Sequence, residues 1–138
     1  MKLIKTITLA ILLMASGSQK ASAQYVQVPK AYMFGVVASF NDSTVYFTNI
    51  QEVDSVWVTK KKNLLGNHNS YTYQLREYFT RERNLPNRTC VVAYAIKRKD
   101  IEKKYAKMKQ QYVVKNKDKF DVRYLPESDF QFKKVDME

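Results

Sequence analysis

Apolar and polar positions alternate through the first half of the chain and recur at helical spacing further on. Between Tyr32 and Phe40, the residues Tyr32, Phe34, Val36, Ala38 and Phe40 fall on one side of an extended chain, with Met33, Gly35, Val37 and Ser39 on the other. Asn41-Asp42-Ser43 is turn chemistry and Thr44 to Ile50 is strand-like again, so residues 32–50 predict a β-hairpin. The preceding residues 24–31 read as a short lead-in. Val53 to Thr59 predicts a third strand, in which Val53, Ser55 and Trp57 alternate with Asp54, Val56 and Val58. Lys60 to Ser70, rich in Lys and Asn, predicts a loop tucked down by Leu64 and Leu65, with Asn69 or Ser70 capping the next helix.

That helix runs from Tyr71 to Arg83, places Tyr71, Leu75, Tyr78 and Phe79 on one face, and stops before Pro86. The most regular stretch is Arg88 to Tyr112. Its first part, Thr89 to Ile96, is apolar on both alternations and predicts a strand at the centre of a sheet. Its second part is a helix whose stripe Ile101, Tyr105, Met108 and Tyr112 lies opposite the lysines Lys103, Lys104 and Lys107. A polar connection, Val113 to Lys119, leads to a strand at Phe120 to Leu125. Phe130 and Phe132 then point the same way, enough for a short terminal edge strand. The order is β-β-β-α-β-α-β with no glycine-rich βα turn. It predicts an α+β two-layer sandwich, with a mainly antiparallel sheet of four to six strands. Two helices would cover one face and leave the other face open.

The start of the chain belongs outside that fold. Lys2 and Lys5 flank a basic beginning, Ile7 to Ala15 is apolar but shorter than the ~20 residues of a membrane span, and Ala21-Ser22-Ala23 offers a small-residue cleavage site. Residues 1–23 therefore predict a signal peptide cut after Ala23, and an exported, periplasmic or secreted protein. Residues 24–138 suit a single domain with no membrane span. Losing Lys2, Lys5 and Lys20 lowers the net charge from +11 to +8. A basic surface suits anionic partners, or simply keeps a small domain in solution. Export sets nucleic acid aside.

Candidate chemistry is sparse. Cys90 is the only cysteine, so no internal disulfide can form, and its strand marks it as a buried apolar residue. His68 is the only histidine and sits in an Asn-rich loop, which gives no ligand pair at metal spacing. There is no nucleophile elbow and no phosphate-cradling loop. Glu77 and Glu82 read as helix-face partners of Arg76, Arg81 and Arg83 rather than as paired catalytic acids. These features argue against an enzyme and against any cofactor or metal. Two surfaces remain. The aromatics Tyr32, Phe34, Tyr46 and Trp57 supply flat contact area if the sheet face is open, and core filling if it is not. Lys103, Lys104 and Lys107 form either a basic patch or a solvated helix face.

The run TCVVAYAIKRKDIEKKYAKMKQQY (89–112), followed by FDVRYL (120–125), resembles the second half of a sporulation-related repeat (SPOR) domain. YMFGVVASF (32–40) is similar to the opening strand of that family. The resemblance covers about half of the chain after residue 23 and implies a sheet face that binds peptidoglycan glycan strands. The chain departs from the family where Thr44 to Thr59 adds a strand and a hairpin before the first helix. The whole chain also resembles small secreted proteins of the Bacteroidales, which implies no particular activity. Asp42-Ser43-Thr44 and Asp54-Ser55-Val56 look like the Bacteroidota O-glycosylation signal, with Ser43 and Ser55 as acceptors; turn or strand capping by the same hydroxyls is the alternative. The resulting expectation is a non-enzymatic envelope protein that binds a peptidoglycan-like cell-wall glycan or an envelope protein. The alternative is a self-associating accessory protein, a homodimer with no small-molecule ligand.

Overall fold

The computed structural model describes residues 24–136, so the expected signal peptide lies outside the described residues. The elements are β1 (Tyr25–Ala38), β2 (Thr44–Thr48), β3 (Gln51–Thr59), α1 (His68–Glu77), β4 (Thr89–Ala95), α2 (Arg98–Lys109) and β5 (Asp121–Leu125). Each helix is prolonged by a π-helical turn, at Tyr78–Glu82 and Gln110–Lys115. The α+β class and the order of elements are those the pattern predicts. α1 starts earlier than expected, with Asn67 in the left-handed region (φ 53°) at its N-terminus in place of a side-chain cap from Asn69 or Ser70.

β1 is the centre of the sheet. It takes in the lead-in, pairs antiparallel with β4 on one side and with both β2 and β3 on the other, and β5 adds parallel to β2 at the far edge. β4, expected at the centre, pairs only with β1 and is an edge strand. Cys90 and Val92 face α1 and Ala93 and Ala95 face α2, while Val91 stays half-exposed.

β2 and β3 are in effect one bent strand. Between the pairs Met33↔Gln51 and Val36↔Phe47, β1 advances three residues while its partner advances four, so Asn49–Ile50 carries a one-residue bulge. A second irregularity sits where Pro29 faces Ser55. Both drop out of the register, and Ser55 has φ 56°. The buried sequence changes phase there on both strands, from Ala31 and Val53 to Val28, Val56 and Val58, so the far end of the ribbon keeps facing one core.

The helices lie on opposite faces, which corrects the expectation of two helices on one face. On one side Tyr71 and Leu75 of α1, with Phe79 of its π-helical turn, cover Met33, Val37, Val53, Cys90 and Val92. On the other, Ile101, Tyr105, Met108 and Tyr112 cover Phe34, Val36, Val45 and Phe47. Topology explains this. β3, β4 and β5 all run antiparallel to β1, so each helix joins two parallel strands. The α1 crossover steps over β1 to β4, whereas the α2 crossover returns from β4 to β5. Crossovers that move in opposite directions and share the preferred right-handed sense must use opposite faces. α1 approaches so closely that a Cβ on Gly35 would run into the Leu75 side chain.

Residues 126–136 form no strand. Phe130 and Phe132 are buried on the α1 face, as the pattern implies, but the segment is held by side chains instead of a ladder. The buried Gln51 amide donates to Phe130 O (2.9 Å) and Asn49 Oδ1 (3.0 Å) and accepts from Phe132 N (2.8 Å). Gln74 makes the same two-sided contact with the backbone of Lys133, and Tyr71 Oη accepts from Val135 N. At the opposite end of the sheet, Arg88 pairs with Asp42 in the β1–β2 turn and donates to Thr44 O.

The two glutamine clamps differ in burial, and this separates their energetics. Gln51→Leu leaves a buried carbonyl and a buried N–H without partners and should lower the unfolding free energy by about 2–4 kcal/mol. Gln74→Leu, where water can replace the amide, should cost less than about 1 kcal/mol. Urea unfolding of the two variants checks this; equal losses would contradict the assignment.

Candidate functional site

With a helix on each face, a broad recess lies beside the outer edge of β4. It is a groove of about 890 Å³ floored by Val92, Ala93, Tyr94, Ala95 and Ile96, and walled by the start of α2 and by Lys62, Asn63 and Leu64. The groove exists because the 60–67 loop folds back along the end of β3, with Gly66 N donating to Trp57 O, before α1 brings His68 against β4.

The edge itself can be read from two hydrogen bonds. His68 Nε2 donates to Val92 O (2.8 Å), and Lys104 Nζ donates to Tyr94 O (2.9 Å). Those two carbonyls therefore point away from β1. Because N–H and C=O of one strand residue share a direction, the N–H groups of Val92 and Tyr94 face the same edge. Neither has a hydrogen-bond partner among the described residues. Lys104 Nζ also lies 5.5 Å from the centre of the Tyr94 ring, and the His68 ring stands edge-on to it at 5.5 Å.

The electrostatics of the groove are one-sided. Lys62, Lys97, Lys103 and Lys104 line it against a single carboxylate, Asp100. No ion pair holds any of the four lysines among the described residues. A smaller hollow of about 240 Å³ continues beneath α2, lined by Phe34, Ala93, Lys104, Lys107, Met108 and Gln111. The lysines expected as a basic patch are thus brought together with a strand edge. Lys104 does not lie opposite the apolar stripe as expected: three residues on from Ile101 it sits about 60° around the helix, at the flank of the stripe, from where its side chain reaches back to Tyr94 O. Lys62, Leu64, Lys97 and Asp100 carried no such signal, since only the fold-back of the loop places them here.

The aromatic set does not form a surface. Phe34 is fully buried against Tyr105 (5.0 Å), while Tyr46 is buried on the opposite face against Phe79 (4.9 Å). Tyr32 is half-buried on the α2 side, and Trp57 is half-buried in the β1/β3 ribbon with its indole N–H unpaired among the described residues. The expectation of an open face fails because both faces of the hairpin are covered. Ser43 is exposed in the β1–β2 turn; Ser55 is half-buried within β3.

The His68 ring nitrogen is engaged by a backbone carbonyl. Burial pushes the Cys90 thiol up from its ordinary value, only partly offset by Arg76 and Arg88. No three His, Cys, Asp or Glu residues cluster for a metal among the described residues. Comparison with protein-family models, curated proteins and solved structures finds no match to this chain.

Desolvation also pushes up the phenols of Tyr71 and Tyr105. Folding favours the protonated form of all three groups. Their contribution is fully present below the ordinary values of 9.0 for the thiol and 10.0 for the phenols, and is lost as pH rises through the higher folded-state values. The urea midpoint should therefore fall between about pH 8 and about pH 10.5, and Cys90 should react with a bulky thiol reagent only once the protein unfolds. A flat midpoint, or rapid labelling of the native protein, would show that these side chains are not sealed in.

Proposed function

We propose that this chain is an exported, non-enzymatic binding module of the cell envelope, and that the groove along β4 is its binding element. The observation that carries the reading is the accumulation of four lysines, none in an ion pair among the described residues, and one aspartate around the outer edge of β4. Such a site suits an anionic partner, either an acidic stretch of a cell-wall glycan or an acidic segment of an envelope protein. Self-association is the second reading. It is favoured at β5, whose outer edge is unpaired and whose Tyr124 is half-exposed. At β4 it is opposed by charge, because two copies meeting there would bring both sets of lysines together.

The test is binding of fluorescent polyglutamate and polygalacturonate, with sedimentation on purified peptidoglycan sacculi. Binding should appear at low ionic strength and weaken as salt rises. At about 0.5–1 kcal/mol per exposed charge contact, reversing two charges with Lys62→Glu and Lys103→Glu should lower affinity roughly tenfold or more. Absence of binding to all three at low salt removes the reading.

A further inference from the structure

We infer that the groove takes an extended acidic peptide, which joins the sheet as a strand alongside β4, with His68 and Lys104 serving as placeholders for it in the free protein. This inference rests on the groove being the binding site and adds the class of partner and its mode of attachment.

The edge of β4 is pre-aligned for another strand but is not left bare. Its outward carbonyls, Val92 O and Tyr94 O, are held by side-chain donors, while the outward N–H groups of the same two residues make no hydrogen bond among the described residues. Outward groups on one strand repeat every two residues, about 6.8 Å, which is the spacing of an opposing peptide backbone. A polysaccharide supplies carboxylates and hydroxyls but no alternating donors and acceptors at that repeat. Peptide carbonyls would accept from Val92 and Tyr94. Peptide N–H groups would take over the two carbonyls from the imidazole and the ammonium, leaving Lys104 free to meet a carboxylate.

Side-chain lysines commonly guard an exposed edge against other strands. Lys104 alone would fit that role. A guard does not explain a recess of about 890 Å³ in which Lys62, Lys97 and Lys103 stand beside the same edge. The two sides of the groove also differ in character. Lys97, Lys103 and Lys104 stand with Asp100 on the α2 side, whereas the loop side sets the half-exposed Leu64 beside Lys62 and Asn63. Successive side chains of an added strand point to opposite faces, so the fitting peptide is acidic on the face toward α2 and carries an apolar residue toward Leu64 on the other, over about five positions. Charge selects such a peptide over a second copy of this basic chain.

The experiment uses a labelled peptide of alternating Glu and Val, the same peptide with N-methyl groups on alternate amides, and polygalacturonate. Anisotropy measures affinity, and amide exchange by NMR reads Val92 and Tyr94 in the intact protein. The Glu/Val peptide should bind, and at saturation the Val92 and Tyr94 amides should exchange at least about tenfold more slowly. N-methylation should cost roughly tenfold or more in affinity, from loss of two backbone hydrogen bonds. Lys97→Glu with Lys103→Glu should weaken the peptide without altering the unfolding midpoint. Peptide binding with unchanged exchange and no N-methyl effect overturns strand addition but keeps the basic groove as the site. Binding of polygalacturonate alone overturns the peptide and keeps an anionic partner. Failure of every probe removes both readings.

Discussion

The carboxamide of Gln51 is the contact on which the α1 face depends. It lies at the bulge where β2 becomes β3, a place where the strand cannot complete its own ladder. Around it, Gly35 N–H is accepted by the Thr48 hydroxyl at 2.8 Å, and that hydroxyl donates to Asn49 O. Both Gln51 amide protons and its oxygen are engaged, two of these contacts reaching a segment 79 and 81 residues away. A buried amide is costly unless fully paired, and here complete pairing fixes where Phe130 and Phe132 enter the core. The bulge thus converts an interruption of one strand into an anchor for a segment with no ladder of its own.

β1 sets the remaining constraints. Apolar on both alternations, it needs cover above and below, and it gets one helix on each side. Gly35 lets α1 lie almost on the backbone, and Phe34 packs edge-on to Tyr105 beneath α2. Once both faces are used, the sheet keeps free backbone only along its outer strands. At β4 that backbone is combined with lysines that lack carboxylate partners. Binding surface and core are separated by this arrangement: Phe34, Tyr46, Phe47 and Phe79 are sealed, whereas the groove sets four lysines beside Tyr94, Ile96 and Leu64.

Local pattern made most elements legible. The hairpin, the third strand, both helices and the last strand all follow from alternation or a helical stripe, and the stripes Tyr71–Leu75–Phe79 and Ile101–Tyr105–Met108 do face the sheet. What pattern could not resolve is which partner an apolar strand has. Thr89–Ala95 looks central because both its alternations are apolar, but helix cover and strand cover leave the same mark on a sequence. The one-face expectation fails for a related reason, since strand direction and crossover hand are not written in any single segment. The candidate site shares that limit. Lys103, Lys104 and Lys107 could be picked out as a set, whereas their juxtaposition with Lys62 and the β4 edge depends on a loop returning from the far end of the ribbon.

The clamp between Gln51 and the segment around Phe130 bears on how the chain can be made. Residues synthesised in order reach the bulge long before its partner exists, and closing so wide a loop is slow compared with forming either helix. Until residue 132 has emerged, the α1 side of the sheet lacks Phe130 and Phe132 and two of the three partners of the Gln51 amide. An early compact state would carry an exposed apolar face and an incompletely paired amide, which weighs against premature locking. A chain built this way can complete the α1 face only after its late segment has been made.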